Sequence, residues 1–229
     1  ALRNIASYRA AFGPGGEGNR VVIKAIPRGG GNEQTHDMQE ALVTINPTPE
    51  VTVVQRNGIN IGYLRYSNFL GNSEDDLDDA FAFFNASGVT ELVLDLRYNS
   101  GGRISAAEHL GSLIGGNRVT GDIFAELQYN SQQQDRNRAF IFEQTNNALN
   151  LDSLVVLTTN TTCSSSELVI NGLRGGGRDN SPATPVNVAV MGSATCGKPL
   201  GSNPQDVCDK VLAAQTFTLR NAQNEGDYF

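Results

Sequence analysis

ELVLDLRYNSGG (91–102) and LDSLVVLTTNTTCSSSE (151–167) are the stretches that decide how this chain folds. Each holds a short, dense apolar run without alternation, the pattern of a strand buried on both faces. Each run ends in small polar residues and gives way to helical spacing, ISAAEHLGSLI (104–114) in one case and ELVINGL (167–173) in the other. A third run, VNVAVMG (186–192), ends at SATCGKP. Strands alternating with helices predict an α/β fold with parallel pairing, and such sheets gather their reactive groups in the loops past the strands' C-terminal ends. Three loops therefore matter: NSGG, TTCSSSE and TCGK.

Working outward, VTVVQ (51–55) and NIGYLRYSNF (60–69) flank Asn57-Gly58, which predicts a hairpin. Ser73 precedes EDDLDDAFAFF, where Leu77, Ala80, Phe81 and Phe84 share one helical face. Ser73 is expected to cap that helix, with Asp76 three residues on. The acids of the first turn suit the helix dipole and lack the spacing of a calcium loop. GDIFAELQY (121–129) predicts a strand, and NSQQQDRNR (130–138) and RGGGRDNSPATP (174–185) predict exposed loops. VVIKAI (21–26), the turn PRGGGN (27–32) and a second strand at EALVTI (40–45) make a small unit. Pro-rich NPTPE (46–50) marks its boundary, giving a segment 1–47 and a core 48–229.

Composition narrows the function. The chain has 229 residues, 39% of them hydrophobic and 18% charged, which excludes a disordered or coiled-coil protein. A net charge of −7 without a basic cluster argues against nucleic acid and anionic membranes as partners. No apolar run reaches the ~18 residues of a membrane span, and the first residues lack a signal peptide's apolar stretch, so an exported protein would carry its signal outside this sequence. Cys163, Cys196 and Cys208 form no C-x-x-C pair, and His36 and His109 lie far from them, so no zinc site is expected. One disulfide plus a free thiol, or three thiols, both fit.

Each loop has two readings. In TTCSSSE, a serine at a strand-to-helix turn is well placed as a nucleophile, because helix-start amides favour developing negative charge. The same serines could simply cap the helix. Glu167 is a first-turn acid with a dipole or bridging role. In NSGG, the glycines allow close backbone approach and an oxyanion-binding N–H, or else form a plain turn. In TCGK, Gly192-x4-Gly197-Lys198 matches most of a phosphate-binding loop, but Pro199 stands where a Ser or Thr must hold magnesium, so nucleotide binding is not expected. Lys198 has only uncharged neighbours in sequence. Sheltered from water it would serve as a general base, and otherwise it is a surface lysine.

Taken in order, DLRYNSGG, TTCSSSE and GSATCGK resemble the C-terminal processing (tail-specific) serine proteases over roughly residues 48–200. The resemblance implies a ClpP/crotonase-like ββα superhelix core, preceded by a partial PDZ-like segment at 1–47. It implies an ATP-independent serine endopeptidase that cleaves proteins at or near their C-termini through an acyl-enzyme, with unfolded or nonpolar C-termini as substrates and no cofactor or metal. By position, Ser164 would be the nucleophile and Lys198 the base. The amides of Gly102 and Ser165 would form the oxyanion hole, and Arg97 and Asn99 would shape the strand end. The family often places a glutamine where Ser202 stands, which leaves the third catalytic group open. Cys163 replaces the usual alanine and Cys196 the usual aromatic, so the two cysteines flank the pair and are candidates for a disulfide with each other. Relatives of this type work in the bacterial periplasm or cell envelope, or in the chloroplast lumen, and the periplasm or envelope is the location expected here. The alternative is a non-catalytic module on the same fold that binds a peptide or hydrophobic ligand. Nothing in the sequence sets an oligomeric state.

Overall fold

The computed structural model describes residues 15–71, 73–176, 182–198, 200–202, 205–208 and 210–226. Two units separate at Ile45/Asn46. In the first, β1 (Arg20–Ala25) pairs antiparallel with β2 (Gln34–Gln39), Ala25 opposite Gln34. The return strand is thus QTHDMQ and not the expected EALVTI, whose residues 40–45 form no strand. The turn sets the register: a hairpin pairs from its turn outward, so the residues next to PRGGGN form the ladder in spite of their polarity. Arg20 meets Asp37, and Lys24 lies 3.2 Å from Glu33, across this ladder.

The second unit is built on a five-stranded sheet. It contains β3 (Glu50–Arg56), β4 (Ile59–Arg65), β5 (Glu91–Asp95), β8 (Ser153–Thr158) and β9 (Asn187–Gly192), side by side in that order. The first pair is the antiparallel hairpin predicted at Asn57-Gly58, where both turn residues have positive φ (52° and 80°). The other pairings are parallel. Helices α1 (Ser73–Ala86), α2 (Ile104–Gly115) and α3 (Ser165–Arg174) connect the parallel strands, as the alternation of patterns requires. One hydrophobic core joins these elements, with Leu64, Leu94 and Val156 from the sheet meeting Phe81, Leu110 and Leu168 from the helices.

A second, antiparallel sheet has the order β10 (Leu200–Ser202), β13 (Gln215–Arg220), β6 (Ile123–Tyr129) and β7 (Arg138–Ile141). β6 falls where GDIFAELQY predicts a strand, but Arg138 begins β7 and not the end of an exposed loop: RAFI is short and adjoins a polar run, so it carries little strand signal of its own. Between β10 and β13 lies a small hairpin of β11 (Gln205–Val207) and β12 (Lys210–Leu212). Phe124 of β6 packs edge-on against Phe142, with centroids 5.2 Å apart, and ties this sheet to the core. Ser73 does not act as the expected cap. It is the first residue of α1, and its hydroxyl donates to Leu70 O (2.8 Å) and shares a hydrogen bond with the Tyr66 hydroxyl (2.6 Å). Among the described residues, no helix is long and apolar enough to cross a membrane. Residues 177–181 of the expected exposed loop lie outside the described residues.

Candidate active site

The three loops singled out in the sequence meet past the C-terminal ends of β5, β8 and β9. Their backbones interlock. Cys163 N–H and the Ser166 hydroxyl both donate to Asn99 O (3.1 and 3.0 Å). The Ser165 hydroxyl donates to Gly102 O (2.8 Å). Cys196 N–H donates to Thr162 O (3.0 Å), and the Thr158 hydroxyl to Ser193 O (2.7 Å). Two of the three clustered serines therefore brace the NSGG loop.

Ser164 occupies the turn itself. Its φ is +56° and its ψ −115°, a conformation that non-glycine residues rarely adopt. Such a conformation costs about 1–3 kcal/mol and persists only where the surroundings impose it. The surroundings here are specific. A Cβ at Gly101 (φ +98°) would sit 2.7 Å from Cys163 O and 2.8 Å from Ser165 N, so only glycine lets the two loops come this close. Gly101 N–H is taken by Asn99 Oδ1 (2.9 Å), while Asn99 Nδ2 donates to Tyr66 O (2.8 Å). Among the described residues, neither Gly102 N–H nor Ser165 N–H donates to another group. These are the two amides expected to bind an oxyanion.

Glu167 organises the rest. It is 2% exposed and sits at the third position of α3. Its Oε2 accepts Ser164 N–H (2.7 Å) and Lys198 N–H (3.1 Å). Its Oε1 accepts the Thr195 hydroxyl (2.6 Å) and Gly197 N–H (2.7 Å). Four donors and the positive end of a helix dipole offset the burial of this carboxyl group, which has no cationic partner among the described residues. One carboxylate thus joins the backbone of the expected nucleophile to that of the expected base. A disulfide makes the same connection: Cys163 and Cys196 are bonded, with Cα atoms 5.3 Å apart. Cys163 is half-buried and Cys196 exposed, and Cys208 is a free, exposed thiol.

The remaining expected residues are placed as follows. Lys198 is exposed, not enclosed in an apolar pocket as its use as a base would favour. Arg97 grips the buried carboxylate of Asp95 through three contacts of 2.6–3.0 Å. Burial pushes that carboxyl up, but Arg97 and the Tyr63 hydroxyl (2.6 Å) outweigh it and hold it below the usual range. Arg97 and Asn99 therefore fasten the loop. Ser202 lies on β10 in the second sheet, and among the described residues no hydrogen bond links it to Ser164 or Lys198. His109 on α2 pairs with Asp78 of α1 at 3.0 Å, not with Ser164. Thr195, the first residue of the TCGK motif, has a role that its sequence position does not signal, because its hydroxyl partner Glu167 lies 28 residues away. Cys163, Glu167 and Cys196 have donor atoms within 4.8 Å of one another. With the sulfurs joined and the carboxylate holding four donors, they offer no open place for an ion.

The family model of peptidase family S41 matches residues 60–226, which include all three loops. The chain belongs to peptidase family S41. It is 26% identical over 202 residues to a carboxyl-terminal-processing protease of Synechocystis, covering 88% of this chain and 43% of the relative. A second such protease, from Picosynechococcus, is 27% identical over 161 residues, 69% of this chain and 34% of the relative. The chain thus spans less than half the length of these curated relatives. Among solved structures, one from Bacteroides fragilis described as an S41 protease superposes with a TM-score of 0.73 at 28% identity, covering 91% of this chain and 55% of the other. The photosystem II D1 C-terminal processing protease shares the fold, with a TM-score of 0.60 at 23% identity over 92% and 53% of the two chains.

Proposed function

We propose that this S41 chain is the proteolytic core of an ATP-independent endopeptidase that cuts proteins at or near their C-termini. Ser164 is the nucleophile and Lys198 the general base. The observation that carries this reading is the convergence of Ser164 N–H and Lys198 N–H on Glu167 Oε2, next to two unused amides. A neutral Lys198 amine takes the Ser164 hydroxyl proton as the oxygen attacks a peptide carbonyl. The amides of Gly102 and Ser165 receive the developing oxyanion. Lys198 then hands its proton to the departing amine, leaving an acyl-Ser164. Water, deprotonated by the same lysine, releases the new C-terminus. Since Lys198 is exposed in the free chain, bound substrate supplies the shelter its amine needs. Neither a cofactor nor a metal enters this sequence of steps.

Residues 1–47 are read as part of a PDZ-like module that would hold a substrate C-terminus by strand addition. A cavity of about 570 Å³ is lined by Tyr129, Leu200 and Phe217 together with polar residues such as Gln128, Gln133 and Gln215, and we read it as a candidate place for a substrate side chain. The disulfide supports an exported, envelope or periplasmic location, where such bonds persist. The deciding experiment incubates an unfolded protein with a nonpolar C-terminus with the full-length parent protein, beside Ser164→Ala and Lys198→Ala, and maps the fragments by mass spectrometry. Cleavage lost in both variants is the expected result. Cleavage that survives either one overturns the mechanism, and peptide binding without cleavage by the parent would mark a binding module.

A further inference from the structure

The Cys163–Cys196 bond is unusual in its position. It joins the residue immediately before Ser164 to the residue two before Lys198, so one covalent link spans the two halves of the proposed dyad. Nothing in the proposed chemistry uses either sulfur. A bond needed only for stability could sit anywhere in the fold, and a buried one would be safer from reductants. Here Cys196 is exposed, so a thiolate from solvent can reach its sulfur. The other sulfur belongs to a half-buried residue at the N-terminal end of α3, whose dipole favours a departing thiolate.

We propose that Cys163–Cys196 is a redox modification site that sets the proteolytic rate of Ser164 and Lys198, an inference that rests on the dyad reading above. The co-reactant is a dithiol, either a protein of that class or dithiothreitol. Its first thiolate attacks Cys196 Sγ. The S–S bond breaks, and Cys163 leaves with the electron pair and takes up a proton. The second thiolate attacks the reductant's own sulfur in the mixed disulfide and releases Cys196, which is protonated in turn. The chain gains two electrons and two protons, and the dithiol becomes a disulfide.

Reduction acts on the site in two ways. It removes the covalent tie that holds 193–198 against the start of α3. It also gives Cys196 an S–H whose sulfur lies 3.6 Å from Glu167 Oε2, the oxygen that already accepts Ser164 N–H and Lys198 N–H. A competing donor there pulls the carboxylate away from the two backbones it aligns. Misplacing a catalytic group by about 1 Å is enough to cost up to a hundredfold in rate. Reduction should therefore lower kcat by about tenfold or more, while KM, set by substrate contacts elsewhere, stays within about twofold.

The test uses the full-length parent carrying Cys208→Ser, which removes the free exposed thiol. The protein is assayed oxidised, after dithiothreitol, and after reoxidation. Alkylation and peptide mass spectrometry count the thiols at Cys163 and Cys196 in each state, and circular dichroism follows the fold. The expected result is a kcat that falls on reduction and returns on reoxidation, in step with the two thiols and at constant fold. The inference is overturned if kcat is unchanged with both thiols free, or if the bond resists reduction in the folded protein. It is equally overturned if the lost activity does not return on reoxidation, which would mark unfolding. If the oxidised parent shows no more cleavage than its Ser164→Ala version, the dyad reading itself fails. That outcome stands apart, because the thiol count is read without activity.

Discussion

Replacing Glu167 by glutamine changes one atom for another of similar size, yet it should cost both stability and rate. The carboxylate accepts from four donors, two on each oxygen. A carboxamide offers one accepting oxygen and a donating NH2 group. If the oxygen takes the Oε1 place, the NH2 faces the N–H groups of Ser164 and Lys198, and neither can accept. In the opposite orientation it keeps those two bonds and faces the Thr195 hydroxyl, which can accept, and Gly197 N–H, which cannot. The second orientation is the better one, and it leaves a single orphaned N–H. An unsatisfied buried donor costs about 1–3 kcal/mol, and each surviving bond loses about 1 kcal/mol when its acceptor is no longer charged. The total is roughly 3–5 kcal/mol, a large share of the ~5–15 kcal/mol that holds a typical domain folded.

Urea denaturation of the parent protein and of Glu167→Gln would measure this directly, as a shift in midpoint at unchanged slope. Peptide cleavage would report the rest. Gly197 adjoins Lys198, so the turn that moves to spare its N–H carries the proposed base with it, and kcat should fall about a hundredfold with little change in KM. Glu167→Ala would orphan all four donors and should be worse on both counts. A Glu167→Gln protein within about 0.5 kcal/mol of the parent, cleaving within twofold of its rate, would refute the claim that this carboxylate aligns the site.

Other substitutions test neighbouring parts of the argument. Ser164→Gly should abolish cleavage yet raise stability by about 1 kcal/mol in thermal or urea unfolding, since glycine accepts φ near +56° without strain. Gly101→Ala should cost about 2–3 kcal/mol and most of the activity, because its Cβ would press on Cys163 O and Ser165 N. Removing both Cys163 and Cys196 as alanines opens a loop of 33 residues and should lower stability by about 3–4 kcal/mol on a chain-entropy account, read from the urea midpoint. Burial, with the Glu143 charge adding to it, pushes the Glu108 carboxyl up to about 7. The unfolded chain ionises Glu108 first as pH rises, so this group weakens the fold progressively between about pH 4 and 7 and by a constant amount above. Glu108→Gln should therefore be about 1–2 kcal/mol more stable than the parent at pH 8 after allowing for solvent screening, and equal to it at pH 4.

Much of the fold was legible because its signals are local. Dense apolar runs marked β5 and β8, helical spacing marked α1 to α3, and Asn57-Gly58 marked a hairpin whose turn has the positive φ values such a pair permits. What was missed depends on distant partners. β7 is four residues long and becomes a strand only by pairing with β6, and β10 only by pairing with β13. EALVTI looked like a strand by hydrophobicity, but the turn before it delivered QTHDMQ to β1 first. In the site, motif order pointed to Ser164 and Lys198, and the cysteines' places beside them suggested their pairing. The hydrogen bonds of Glu167 could not be foreseen, because three of its four donors lie about thirty residues away and two of those are backbone groups, which carry no residue signature.

That arrangement suits a lysine base. An amine at the end of four methylenes has many rotamers, and freezing it costs up to about 2 kcal/mol of entropy. A histidine base can be oriented through its second ring nitrogen and a lysine amine through its N–H groups, but among the described residues no hydrogen bond holds the Lys198 amine. The remaining way to aim it is to fix where its backbone begins, and Glu167 does this by holding the N–H groups of Gly197 and Lys198 while also holding that of Ser164. The disulfide fixes the same two segments by covalent means. Restraint of the main chain leaves the side chain of Lys198 exposed until a substrate covers it, so on the proposed mechanism the amine would be desolvated only when there is a peptide bond to cut. If Ser164 and Lys198 are the dyad proposed above, the resting state holds the nucleophile's backbone in place and leaves the amine of the base unheld. This predicts that an electrophile needing no general base should label Ser164 faster, relative to substrate turnover, than in an enzyme with a preformed dyad. Equal selectivity in the two would show that Lys198 is already positioned in the free protein.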